Sequence, residues 1–188
     1  MHERDIAERL SEIEAEAAIR TRLVLYCRGI DRRDEAILAE IFWVDSQVEY
    51  GVFAGSGQAF ATSICGWLTD GGVELTAHLL GNIAISQDGD VAHSEAYLQA
   101  YHRIRKPDGS CFDSLIGGRY QDRFEQRDGV WRIAFRRLVF DWFREFEGTG
   151  DWARGSVGVT AATAEIGQSG PDRWEELNAA MRRRAAER

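Results

Sequence analysis

The second half of the chain is divided by three Asp-Gly connections, and these limit the possible folds more than any other feature. Asp88-Gly89-Asp90, Lys106-Pro107-Asp108-Gly109 and Arg127-Asp128-Gly129 separate four segments rich in β-branched and aromatic residues. Asp-Gly between such segments favours tight turns whose twist matches that of paired antiparallel strands. Leu75 to Gln87, Val91 to Arg105, Cys111 to Gln126 and Val130 to Phe143 therefore read as four long strands of a meander. Gly117-Gly118 falls inside the third strand and precedes no helix, so it marks a bulge or bend.

The first half has helical periodicity. Ile6, Leu10, Ile13 and Ala17, then Ile19, Leu23, Tyr26 and Ile30, recur at helical spacing and predict one long helix. Ser11 is expected to cap its main part, with Glu14 three residues on. A second helix is expected over Glu35 to Phe42 behind an Asp34 cap, and a strand over Gln47 to Phe53. The Gly55-Ser56-Gly57 turn should open a third helix ending near Trp67 and Gly71-Gly72. Helices followed by a run of strands is the α+β pattern, with the helices on one face of a curved antiparallel sheet. The 188 residues fit one domain over 1–145 and an extension over 146–188. Within the extension, Gly, Ala, Ser and Thr dominate after Gly148. A short helix is then expected to follow Pro171 through Trp174, Leu177 and Met181.

A net charge of −8 argues against nucleic acid or an anionic membrane as the main partner. The Arg182-Arg183-Arg184 run is short and reads as a solvated helix face. No apolar run approaches the ~20 residues of a membrane span, and the acidic N-terminus does not resemble a signal peptide. Cys27, Cys65 and Cys111 are odd in number and widely spaced, which suits reduced thiols in a cytoplasmic protein. Nucleotide-loop and nucleophile-elbow patterns are absent, and four scattered histidines make no metal-ligand spacing, so neither cofactor nor metal is expected.

Chemistry must then come from ordinary acid–base side chains in apolar surroundings. Tyr26 and Asp31 stand near the end of the first helix, about 140° apart if it stays regular. Gly29 between them would let both flank one cavity if the helix loosened there. His78 sits in the apolar strand Leu75-Thr76-Ala77-His78-Leu79-Leu80. Each has an ordinary structural explanation, as a helix-end carboxylate and as a core histidine. Of the adjacent Arg136 and Arg137, strand alternation sends one inward and one outward without saying which.

The combination of Tyr-x4-Asp on the helix, His-x3-Asn at His78 and Asn82, and the stretch from Gly118-Arg119-Tyr120 to Asp128-Gly129-Val130-Trp131-Arg132-Ile133 resembles the SnoaL-like family of NTF2-like proteins. The resemblance covers roughly residues 10 to 145. It implies a cone-shaped α+β fold enclosing an apolar pocket. In the scytalone dehydratase, bile-acid dehydratase and hexachlorocyclohexane dehydrochlorinase members, a pair matching Asp31 and His78 serves as base. Tyr26 matches the tyrosine of the first two, and Arg136 a pocket arginine of the third. The resemblance thus implies a cofactor-independent lyase that removes a proton, then eliminates water or halide or cleaves a carbon–carbon bond with release of formaldehyde. Its substrate would be a small apolar ring compound such as a steroid, polyketide or lignin-derived aromatic. Tyr50, Trp67 and His102 are expected to line the pocket. A homo-oligomer is implied, a trimer before a dimer. Two rivals share the fold: a structural small subunit of ring-hydroxylating dioxygenases, and a module that binds a small ligand without turnover.

Overall fold

The computed structural model describes residues 5–151 together with Arg154 and Ser156. Helices α1 (Ile6–Arg32) and α2 (Glu35–Ile41) lead into strands β1 (Phe42–Tyr50) and β2 (Phe53–Gly55) and helix α3 (Gly57–Asp70). The meander follows as β3 (Val73–Asp88), β4 (Val91–Arg105), β5 (Cys111–Arg127) and β6 (Val130–Glu147). One six-stranded sheet has the order β2-β1-β6-β5-β4-β3. The expected extension helix at Pro171 to Met181 lies outside the described residues. Among the described residues no helix is long and apolar enough to cross a membrane.

Two of the Asp-Gly connections close two-residue hairpins, joining Asp88 to Val91 and Arg127 to Val130 in register. Positive φ at Gly89, Gly109, Asp128 and Gly129 matches the residue types placed there. The β5–β6 register shifts between Gly117 and Gly118, where the sequence marks a bulge. A Cβ on Gly117 would stand 2.1 Å from the Trp142 ring, so only glycine lets that indole lie across the strand. Asn82 has its own backbone task. At φ 50° it sits at the β3 register shift between Gly81 and Ile83, a left-handed position that asparagine tolerates.

Several expectations need correcting. The sheet is mixed, because β1 runs parallel to β6 while every other pair is antiparallel. The strand expected over Gln47 to Phe53 is two strands folded back at Gly51, whose φ of 60° permits the turn. The second helix ends at Ile41, and Phe42 already belongs to β1. Asp5, not Ser11, occupies the α1 N-cap position, and its side chain makes no cap hydrogen bond. Residues 5–14 are exposed, so Ile6, Leu10 and Ile13 continue the helical period without packing into the core. The buried stripe is Ala15, Ile19, Leu23, Tyr26, Cys27 and Ile30. Asp34 and Ser56 do cap α2 and α3, accepting from the backbone N–H groups of Ile37 and Ala59.

The helices bury their apolar stripes on one face of the sheet. Ile19, Leu23 and Ile30 of α1, Leu38 of α2 and Phe60 of α3 meet Ala92, Ala96, Tyr120, Phe124 and Ile133 of the strands in one apolar core. At the end of α1, Arg33 takes a left-handed conformation and closes the helix by donating to Ile30 O, while Asp34 N–H donates to Gly29 O. That closure places Asp31 in the last turn, beside the first residues of β3.

Candidate active site

Asp31 reaches from α1 to β3 and holds His78 at two points. Its Oδ2 accepts the His78 backbone N–H at 3.0 Å, and its Oδ1 lies 2.7 Å from His78 Nδ1. The two side chains are 17% and 3% exposed. A carboxylate in the last turn of a helix faces the negative end of the helix dipole, which costs a few tenths to ~1 kcal/mol. The two hydrogen bonds from His78 offset that cost. With the carboxylate accepting from Nδ1–H, Nε2 keeps the free lone pair, the arrangement a general base requires. Gly29 is not a loosening point, since α1 stays helical through Arg32. A Cβ there would come within 2.8 Å of the Leu38 side chain, so the glycine serves the close packing of α1 on α2.

His102 of β4 pairs in register with Thr76, two residues from His78. Its ring stands edge-on to the His78 ring at 5.5 Å, and it is buried with Nδ1 making no hydrogen bond among the described residues. Burial first, then the neighbouring His78, pushes its pKa down to about 4, with Asp31 opposing. The unfolded chain takes up that proton near 6.5, so folding loses stability as the pH falls from about 6.5 toward about 4, then levels off. The loss is on the order of 3 kcal/mol. His102→Gln should remove this slope, read as a smaller melting-temperature difference between pH ~7 and pH ~4.5 than the wild type shows. An equal difference in both proteins would show that His102 does not titrate this way.

Tyr26 lies deeper, fully buried, with its ring stacked on Phe60 at 6.3 Å and edge-on to Tyr120 at 5.2 Å. Arg136 is the inward arginine. It is fully buried, whereas Arg137 is exposed and paired with Glu49, a surface contact worth less than ~1 kcal/mol. Arg136 is not a free cation, however. Its Nε and Nη2 donate to Asp122 Oδ1 and Oδ2, each at 2.7 Å, and its guanidinium lies 3.8 Å from the Tyr26 ring centroid and 4.4 Å from that of Tyr120. Burial opposes the charge on Arg136, but the Asp122 carboxylate more than offsets it and holds its pKa above the ordinary value. Burial raises the Tyr26, Tyr50 and Tyr120 phenols, so these groups remain protonated hydrogen-bond donors.

The structure thus brings Asp31 to His78, and Tyr26 to Arg136. Tyr50 joins the second group, with its ring 5.0 Å from Phe60 and its hydroxyl 3.5 Å from that of Tyr120. Trp67 does not join either group: it is 54% exposed on α3, outside the apolar core. Two members of the second group, Asp122 and Tyr120, were not singled out from the sequence as site residues. Alternation along β5 puts both on one face, and a carboxylate on an otherwise apolar inward face is the signal that would have found Asp122. Among the described residues, no cluster of three or more His, Cys, Asp or Glu could hold a metal ion.

Residues 11–137 match the SnoaL-like domain family. The chain belongs to that family. A relative, the uncharacterized protein Rv2910c of Mycobacterium tuberculosis, is 28% identical over 140 residues, covering 68% of this chain and 86% of the relative. Among solved structures, the hexachlorocyclohexane dehydrochlorinase LinA type 2 superposes with a TM-score of 0.68 at 21% identity, covering 80% of this chain and 99% of that one. A Novosphingobium aromaticivorans protein assigned as a scytalone dehydratase gives 0.62 at 21% identity, over 79% and 97%. At these identities the two structures establish the shared fold.

Proposed function

We propose that this SnoaL-like protein is a cofactor-independent lyase in which His78 removes a proton from an apolar ring-containing substrate and a leaving group then departs. The observation that carries the reading is the double hold of Asp31 on His78. One carboxylate fixes the backbone, the ring orientation and the tautomer, which is more than a core histidine needs for solubility in the fold. Asp31 would stabilise the imidazolium formed on proton transfer, while Nε2 takes the proton. Tyr26, held protonated by burial, would donate to a carbonyl or leaving oxygen. The dehydrochlorinase and dehydratase designations of the two structural neighbours favour elimination over other proton-transfer chemistry.

The test is a substrate panel run with the wild type and His78→Gln. It would contain a hexachlorocyclohexane followed by chloride release, hydroxylated steroids followed by dehydration, and lignin-derived diols followed by formaldehyde. The expected result is turnover of one class by the wild type and a loss of about a hundredfold or more in the variant. Equal rates in the two proteins would remove His78 as the base. Binding of a panel member without turnover by either protein would favour a ligand-binding module.

A further inference from the structure

The structure assigns the exposed apolar face of α1 as a docking seam for α1 of a second copy of this chain, packed parallel to it. The seam is separate from the candidate active site and does not depend on the lyase reading.

Helix α1 carries two apolar stripes, and the core uses only one of them. Ala15, Ile19, Leu23, Tyr26, Cys27 and Ile30 are buried in the core. Ile6, Leu10, Ile13, Ala17 and Val24 form the other stripe, and all five are exposed. The four large side chains among them are between 53% and 77% exposed. At about 100° per residue, the five fall within about 60° of one another and roughly 135° from the buried stripe. Single exposed apolar residues are ordinary on a protein surface. A row of them along about 27 Å of helix is not.

The spacing says what fits the row. With Arg20 between Ala17 and Val24, the positions advance in steps of four, three, four, three and four residues. That is the repeat of about 3.5 residues along which helices pack side by side in a coiled coil. Arg20 is the one polar position, and Glu16 of the same helix holds its guanidinium. The seam is shorter than the roughly three to four heptads of a free-standing coiled coil. Here the buried stripe already holds α1 helical, so pairing carries no nucleation cost.

Charge selects a second copy over other apolar partners. Arg9 and Glu14 are exposed and flank the seam on opposite sides. Their spacing of five residues keeps them from facing each other on one helix. In a parallel pair in register, Arg9 of each helix faces Glu14 of the other, once on each side of the seam. Asp5, Glu8, Glu12 and Glu16 make the rest of this stretch acidic, which disfavours an anionic membrane surface as the occupant. Because the core stripe points away from the seam, each domain stays on the outer side of its own helix.

Sedimentation velocity of the full chain, over a concentration series at low salt, tests the seam. The wild type should self-associate as its concentration rises. Leu10→Gln combined with Ile13→Gln should weaken that association about a hundredfold, because four apolar side chains leave each pair. Arg9→Glu and Glu14→Arg should each weaken it about tenfold, since both cross pairs become repulsive. An equimolar mixture of those two variants should associate like the wild type, because each helix again faces opposite charge. Should the apolar double variant not fold in a melting curve, the charge variants and their mixture decide alone. A wild type that stays monomeric at the highest concentration would overturn the seam. So would unchanged association in the apolar double variant, which would place the contact on another face. Charge variants that associate like the wild type, or a mixture without rescue, would equally overturn it. Capture of the wild type by neutral phosphatidylcholine vesicles in place of self-association would assign the stripe to lipid instead.

Discussion

Replacing Asp31 by Asn is expected to lower turnover about a thousandfold while the protein stays folded. The amide keeps the size of the side chain and one acceptor oxygen, which can still serve the His78 backbone N–H or face Nδ1. It cannot do both and cannot neutralise an imidazolium, so the histidine loses its fixed tautomer and the stabilisation of its charged form. Steady-state kinetics on the substrate found by the panel, beside a melting curve, separate the chemical loss from unfolding. A rate within about threefold of wild type would remove Asp31 from the mechanism, since loss of a working dyad partner costs orders of magnitude.

Asp122→Ala should produce the largest loss of stability among single substitutions in the site. It leaves the Arg136 guanidinium, 0% exposed, without its only carboxylate partner in the described structure. Breaking one side of a buried pair costs ~3–5 kcal/mol. For a chain of this size that corresponds to a melting temperature lower by about 10 °C. The double replacement Asp122→Leu with Arg136→Met removes both charges and fills the volume, and it should recover most of the loss. Differential scanning calorimetry on the two variants is sufficient. A single variant melting within about 2 °C of wild type would mean that the pair does not hold this face of the sheet to the helices.

The two predictions concern different groups of the candidate site and respond to different readouts. In the proposed mechanism Asp31 acts on the reactivity of His78, so its loss is expected to appear in rate. Asp122 pairs with the buried Arg136, so its loss is expected to appear in stability. His102 stands beside the first group and reports through pH, because burial first, and then the neighbouring His78, disfavours its charged form.

Local chemistry was legible in the sequence. The Asp-Gly turns, the β4 span from Val91 to Arg105, the Gly117-Gly118 bulge and the Asp34 cap all depend on neighbours a few residues away, and all are found as read. The pairing of Asp31 with His78 was legible only through their co-occurrence with Tyr26 and Arg136 on a family pattern. Forty-seven residues separate Asp31 from His78, and no local period links a helix end to a strand start.

Long-range pairing was decided by the tertiary structure alone. The parallel union of β1 with β6 joins segments almost ninety residues apart, and it made the sheet mixed where sequential hairpins implied an antiparallel one. The choice of Arg136 over Arg137 follows from that same register, because alternation is symmetric until one residue on the strand is anchored. Pairing Arg136 with Asp122 across β5 and β6 then gave the arginine matched to a pocket residue a buried carboxylate partner. By itself the sequence determined the order of helices and strands, the Asp-Gly turns and the residue types available for proton transfer, since these depend on backbone preference and short-range hydrogen bonds. Which side chains share a buried space, and with what net charge, only the tertiary structure decided, because burial and strand register bring together groups that are far apart in the chain.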